Sequence, residues 1–361
     1  MRSEAIQGFI DRLLGRGQAA VTVPPLDGAL KPNNVLEEAA AGLAVTAPDN
    51  LVEWSGRLLF SSGSRIHSTD GRTRFDVRGA VTAMASSPGG LLAVATDAEG
   101  ISIKRLDGSL TRLTRPEASA FDCTTAMVFA GERTLFACVG SAENPIDRWT
   151  HDLLEGGRTG SLWRIDLDSG DATSLTTGLA FPNGVVLAAD GDCIVSESWQ
   201  KRLIKISTTG AVSGQVIEDL PGYPGRLSHS ARGGYWLSVF APRSQLIEFV
   251  LREPAYRRAM MSEVDPALWI APALSTGKSV LEPMQGGALK QMGLLKPWAP
   301  TQSYGLVVEL NAAFVPVRSM HSRAGGKRHG ITSAVERAGT LWVTSKGGDE
   351  LVALDVSDKA E

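Results

Sequence analysis

Six times along the chain the same unit recurs: a short apolar strand, a glycine turn, a second apolar strand ending in small polar residues, and a third strand. The copies read "DNLVEWSGRLLFSSGSRIHST", "VTAMASSPGGLLAVATDAEGISIKRL", "TTAMVFAGERTLFACVGSA", "NGVVLAADGDCIVSESWQKRLIKIS", "GRLSHSARGGYWLSVFAPRSQLIEFV" and "GITSAVERAGTLWVTSKGGDELVALDV". Each has the period-2 alternation and short apolar runs of strands bounded by Gly, Asp and Ser turns. A spacing of about 40 residues or slightly less is that of propeller blades. The repeat therefore predicts an all-β fold, a six-bladed β-propeller.

Two copies are stretched. The third holds "ENPIDRWTHDLLEGGRTG" before "SLWRIDL", and the fifth is followed by "REPAYRRAMMSEVDPALWIAPAL". The second reads as a helical and loop insertion after the fifth blade's strands, capping one face. Insertions of this kind form the roof of a binding site. The segment 19–23, "AAVTV", lies outside the copies and is expected to join the last blade and close the ring, which leaves no free sheet edge. The expected organisation is an N-terminal helix and ring-closing strand over 1–44 and one propeller domain over 45–361.

Composition sets limits on function. A chain of 361 residues with 43% hydrophobic content can bury a large core, and blades use that length without one oversized core. The formal charge of −3 is spread along the chain, which gives nucleic-acid binding no electrostatic support. Cys123, Cys138 and Cys193 have neither an even count nor Cys-x-x-Cys spacing, which points to a reduced, cytoplasmic setting. In residues 1–18, Ile6, Phe9, Ile10, Leu13 and Leu14 fall at helical spacing, but Glu4 and Asp11 interrupt what a signal peptide would keep apolar. A docking helix is expected there. No run approaches the roughly 20 apolar residues of a membrane span, and a monomer or weak dimer is expected.

In a propeller the inner strand of each blade starts near one mouth of the central channel. Counting back from the turn glycines places Asp49, Thr82, Thr124, Asn183, Gly225 or Arg226, and Thr332 around that mouth, with His329 beside it. Asp49 and Asn183 offer hard oxygens that suit calcium, and they equally suit hydrogen bonding of turns where strands begin. His329 is the histidine placed to act as general base. Thr124, Arg226 and Thr332 are candidates for substrate contact. Trp163, Trp199, Trp236 and Trp342 read as packing between blades, whereas Trp269 and Trp298, in the inserted region, are candidates for lining an apolar pocket. There is no Gly-x-Ser-x-Gly elbow and no phosphate loop.

The segments "FPNGVVLAADGDCIVSESWQKRLIKI", "LPGYPGRLSHSARGGYWLSV", "KPWAPTQSYGLVVEL" and "HGITSAVERAGTLWVTS" resemble the strictosidine synthase-like proteins, relatives of the gluconolactonase and paraoxonase group of six-bladed propellers. The resemblance runs in order over about residues 47–356. It implies that the glutamate used for amine–aldehyde condensation in true strictosidine synthase is Thr332 here, so alkaloid synthesis is not expected. It also implies metal ligands at Asp49 and Asn183, with a third carboxylate position that falls on Gly225 of "GYPGRL". Calcium is thus an expected cofactor with one ligand missing. The expected activity is hydrolysis of a small ester or lactone at the channel mouth, with Asp49 and His329 catalytic. The alternative is a propeller that binds a small organic ligand or a protein partner without catalysis.

Overall fold

In the computed structural model, residues 23–113, 121–279 and 302–357 are described, with short backbone pieces between 282 and 300. Among them are six four-stranded antiparallel sheets. They span residues 48–76, 81–112, 124–179, 182–217, 222–322 and 331–355, here blades I to VI. The inner strands are Pro48–Trp54, Val81–Ser86, Thr124–Ala130, Pro182–Leu187, Gly222–His229 and Ile331–Arg337. Each touches the next around the ring, and the last touches the first. The protein is a six-bladed β-propeller, as the repeat predicts.

The ring closes through the two-residue strand Leu43–Ala44, which pairs with Glu350–Asp355 as the fourth strand of blade VI. Residues 19–22, expected in that role, lie outside the described residues, as does the helix expected over 1–18; Val23 is not in a strand. The closing segment is held by Arg328. This buried guanidinium donates to the carbonyls of Leu36, Ala39 and Ala40 and pairs with the Glu350 carboxylate at 2.9 Å. Glu350 in turn accepts from the backbone of Gly42. A buried charge with this many partners fixes one geometry, because any other would strand it.

The helical insertion sits inside blade V, between its second strand Tyr235–Pro242 and its third strand Gly305–Leu310, and not after the blade's strands. "QLIEFV", expected as a strand, is the helix Gln245–Arg252. The reason is local: the Ser244 side chain caps Ile247 N at 3.2 Å, and Ile247, Val250 and Leu251 recur at helical spacing on the buried face. In blade III the helix Trp149–Glu155 lies between the second and third strands. Among the described residues no helix is long and apolar enough to cross a membrane.

Every inner strand shifts register by a residue or more close to the channel mouth. The skipped positions are Asn50 and Leu51, Thr82, Thr125, Asn183, Gly225 and Arg226, and Thr332. A bulge of this kind re-aims a side chain out of the regular alternation. The bulges of blades IV, V and VI bring Asn183, Arg226 and Thr332 to the mouth in this way, whereas Asn50 and Thr125 stay buried and bond the neighbouring blade.

Arg328→Met is expected to release the 34–42 segment and to destabilise the protein by roughly 3 kcal/mol, since the half-buried Glu350 loses its ion pair and the carbonyls of Leu36, Ala39 and Ala40 lose their donor. Thermal melting and limited proteolysis check this; an unchanged melting temperature with the segment still protected would contradict it.

Candidate functional site

Arg226, raised out of blade V by its bulge, spans the channel. Its Nη1 donates to Asp49 Oδ1 of blade I at 2.6 Å and to the Thr332 carbonyl of blade VI at 3.2 Å, and its Nη2 donates to the Thr82 carbonyl of blade II at 2.7 Å. The other oxygen of Asp49, Oδ2, accepts from Lys346 Nζ of blade VI at 2.8 Å. The side chains of Asp49, Arg226 and Lys346 are 9%, 15% and 36% exposed. Serines hold the backbone that presents Arg226: Ser238 Oγ donates to the Arg226 carbonyl, Ser196 Oγ to that of Gly225 and Ser198 Oγ to that of Pro224.

Burial alone would push the Asp49 carboxyl up. The charges of Arg226 and Lys346, with hydrogen bonds from Lys346 and the Thr332 hydroxyl, outweigh burial and hold it at about 2. Asp49 is therefore ionised at neutral pH and a weak proton acceptor.

Above this cluster opens a cavity with about 520 Å³ of empty space, its mouth included. Asp49, Asn183, Arg226, Thr332 and Lys346 supply its polar floor, and Ile146, Trp149, Phe181, Phe240 and Leu274 its apolar wall. Ile146 and Trp149 come from the blade III insertion and Leu274 from that of blade V. Phe181 is held at φ 55, a strained conformation for a bulky residue. It persists because Ser198 N and Trp199 N bond the carbonyls of Phe181 and Ala180, and because the two rings stack at 4.5 Å. Trp199 is anchored through its Nε1 to Asp152 of the roof helix at 2.7 Å. Arg226 borders this cavity and also the central channel beneath it, so it divides the two.

Asp49, Asn183, Arg226 and Thr332 thus come together, and Gly225 lines the same cavity. Thr124 does not reach it: the bulge in blade III falls one residue later, and Thr124 Oγ1 is buried against the Phe121 carbonyl. Nor does His329 line the cavity. It is buried with Nε2 donating to the Arg323 carbonyl at 3.0 Å and Nδ1 accepting from Ser303 Oγ at 2.7 Å. With both nitrogens occupied it is held neutral as a structural bridge; burial depresses its pKa further. Trp269 packs with Leu154, Val250 and Met260 away from the cavity, and Trp298 lies outside the described residues.

Lys346 and the aromatic wall were not among the candidates. Lys346 lies in the turn just after a second strand, and counting inner strands alone could not find it.

The donor set does not fit calcium. Among the described residues no three His, Cys, Asp or Glu side chains gather as a metal site. Asp49 spends both oxygens on cations, and calcium affinity follows carboxylate count. A carboxylate at 225 is not simply absent: a Cβ there would stand 2.9 Å from Ser238 Oγ, closer than carbon and oxygen normally pack.

In sequence the chain is 26% identical to adipocyte plasma membrane-associated protein of Danio rerio, over 57% of this chain and 45% of that one. It is 27% identical to strictosidine synthase-like 2 of Arabidopsis thaliana, over 54% of this chain and 47% of that one. Its homologues bear the names strictosidine synthase-like and adipocyte plasma membrane-associated protein. The chain spans less than half the length of these relatives, and no family model matches it. Among solved structures it is similar to regucalcin of Agrobacterium tumefaciens, described as a calcium-binding protein (TM-score 0.56, 12% identity, 90% of this chain and 96% of that one). It is also similar to a gluconolactonase of Xanthomonas campestris (TM-score 0.54, 13% identity, 87% of each chain). At these identities the likeness establishes the six-bladed fold.

Asp49→Asn is expected to cost roughly 3 kcal/mol because it strands the Arg226 charge in the channel, and adding Arg226→Met should recover much of the loss. The Asp49 carboxyl is lowered in the folded state, so its stabilisation is complete above about pH 4 and is lost as the pH falls towards 2. Melting curves between those limits should converge for parent and Asp49→Asn; a gap independent of pH would show that the ion pair is not the source.

Proposed function

We propose that the channel mouth is a small-molecule site of the lactonase type, which takes a small ester or lactone and promotes its hydrolysis without a resident metal. The observation that carries this is the pairing of the Asp49–Arg226–Lys346 floor with the aromatic wall of one cavity. Gluconolactonase among the similar folds supports the reaction class.

The chemistry follows from the donors. Ester hydrolysis builds negative charge on the carbonyl oxygen, and fixed donors aimed at that charge lower the barrier. Lys346 keeps two ammonium hydrogens beyond the one given to Asp49, and the Asn183 carboxamide has no hydrogen bond to the described residues. These groups would polarise the carbonyl while the ring or chain of the substrate rests on Phe181, Trp149 and Phe240. Asp49 orients Lys346; water adds to the carbonyl carbon and gives a proton to solvent, the acyl–oxygen bond then breaks, and the departing alkoxide takes a proton from solvent to leave the acid and the alcohol. Arg226, three of whose four Nη hydrogens serve the protein, closes the floor.

Binding without turnover is a second reading. It is favoured by the absence of a free base at the cavity among the described residues: Asp49 is a weak acceptor, and His329 bridges Ser303 and Arg323.

A panel of aryl esters and lactones with added calcium and with chelator tests both. The expected result is turnover that neither addition changes by more than about twofold and that Lys346→Met lowers by roughly 10²-fold, as for loss of one oxyanion donor. Rates at the buffer level for every substrate would reject hydrolysis and leave binding. A rate abolished by chelator would reject the metal-independent part.

A further inference from the structure

The floor of the cavity has a charge that its own groups do not balance. Among its lining residues Asp49 is the single acid, against Arg226 and Lys346. Asp49 is saturated: Oδ1 accepts from Arg226 and from the backbone of Asn50, and Oδ2 from Lys346. One positive charge is therefore left over in a half-enclosed site, where water screens it less than at an open surface. Arg226 gives three of its four Nη hydrogens to Asp49, Thr332 and Thr82, and its side chain is 15% exposed. The excess is consequently presented by Lys346, which is 36% exposed. Asn183 lies on the same floor, and its amide has no protein acceptor among the described residues.

We infer that this cavity is a receptor for a monocarboxylate carried on an apolar or aromatic body. One carboxylate oxygen takes a charge-assisted bond from Lys346 and the other a bond from the Asn183 amide, which neutralises the site with a single negative charge. A dianion would overcompensate it, and a cation would meet Lys346 and Arg226. The body attached to the carboxylate packs on Phe181, Trp149 and Phe240, the aromatic part of the cavity wall. The inference rests on the small-molecule reading of the cavity but not on turnover: the carboxylate is the acid half that hydrolysis of an ester or lactone would release, and the floor that polarises a carbonyl would hold that acid more firmly.

Calorimetric titration with three probes of one shape tests this: hydrocinnamate, its neutral amide, and phenethylammonium. Hydrocinnamate is expected to bind at least about tenfold more tightly than the amide, equivalent to ~1.4 kcal/mol, and phenethylammonium more weakly than either. The preference for carboxylate over amide should shrink to about twofold or less in Lys346→Met, while the amide itself changes by less than about threefold, because the lost bond is charge-assisted. Should Lys346→Met fail to fold, Asn183→Leu serves instead and should weaken hydrocinnamate several-fold more than phenethylammonium. An amide as tight as the acid, a preference for the ammonium, a preference that survives Lys346→Met, or no binding of hydrocinnamate by about 10 mM, a Kd limit near 2.7 kcal/mol of binding, would each overturn the inference. Hydrolysis of esters without carboxylate preference would reject this inference alone, and carboxylate preference without hydrolysis would reject turnover alone.

Discussion

The guanidinium of Arg226 is stretched across a closed ring of blades and needs acceptors from three of them at once. From blade V it reaches Asp49 of blade I, the Thr82 carbonyl of blade II and the Thr332 carbonyl of blade VI. None of these groups is near another in sequence, so the contact forms only when the ring is closed in register. A charge this buried costs several kcal/mol to desolvate, and the arrangement is tolerable only because its acceptors are satisfied together. Its Nε remains buried without a partner, a residual cost that fits a position selected for more than stability.

The bulges make this arrangement available. Each inner strand skips at the channel mouth, and in blades IV, V and VI the skipped residues line the cavity there. Where the skipped side chain is small, as at Thr125, it bonds the next blade through the Pro182 carbonyl. Where it is long or amidic, as at Arg226 and Asn183, it furnishes the floor of the cavity. The same structural device thus serves packing in one blade and chemistry in another. With Arg226 and Lys346 around a single carboxylate, the floor favours electron-rich ligand oxygens, the opposite polarity from a carboxylate cage built for a cation.

Much of this was legible in the sequence because strand periodicity and turn glycines are local signals. The six copies gave the blades, and counting back from their turns placed Asp49, Asn183, Arg226 and Thr332 at one mouth. In blade III the count took Thr124 while the bulged residue is Thr125, and both stay buried, because a one-residue slip reverses which side a strand residue faces. Lys346 escaped notice because it follows the end of a second strand and reaches Asp49 through its long side chain. His329 was misplaced for the converse reason: adjacency to an inner strand does not show that Ser303, far along the chain, claims its ring. "QLIEFV" reads as strand or helix by apolarity, and the Ser244 cap decides it.

The central claim is that Arg226 occupies the channel where a cation would otherwise lie, and a crystal structure grown in millimolar calcium measures it directly. The account predicts density for the guanidinium between Asp49 and the carbonyls of Thr82 and Thr332, with Lys346 on the far oxygen of Asp49 and no ion at the axis. A metal bound by Asp49 and Asn183, with Arg226 turned away from the channel, would contradict it.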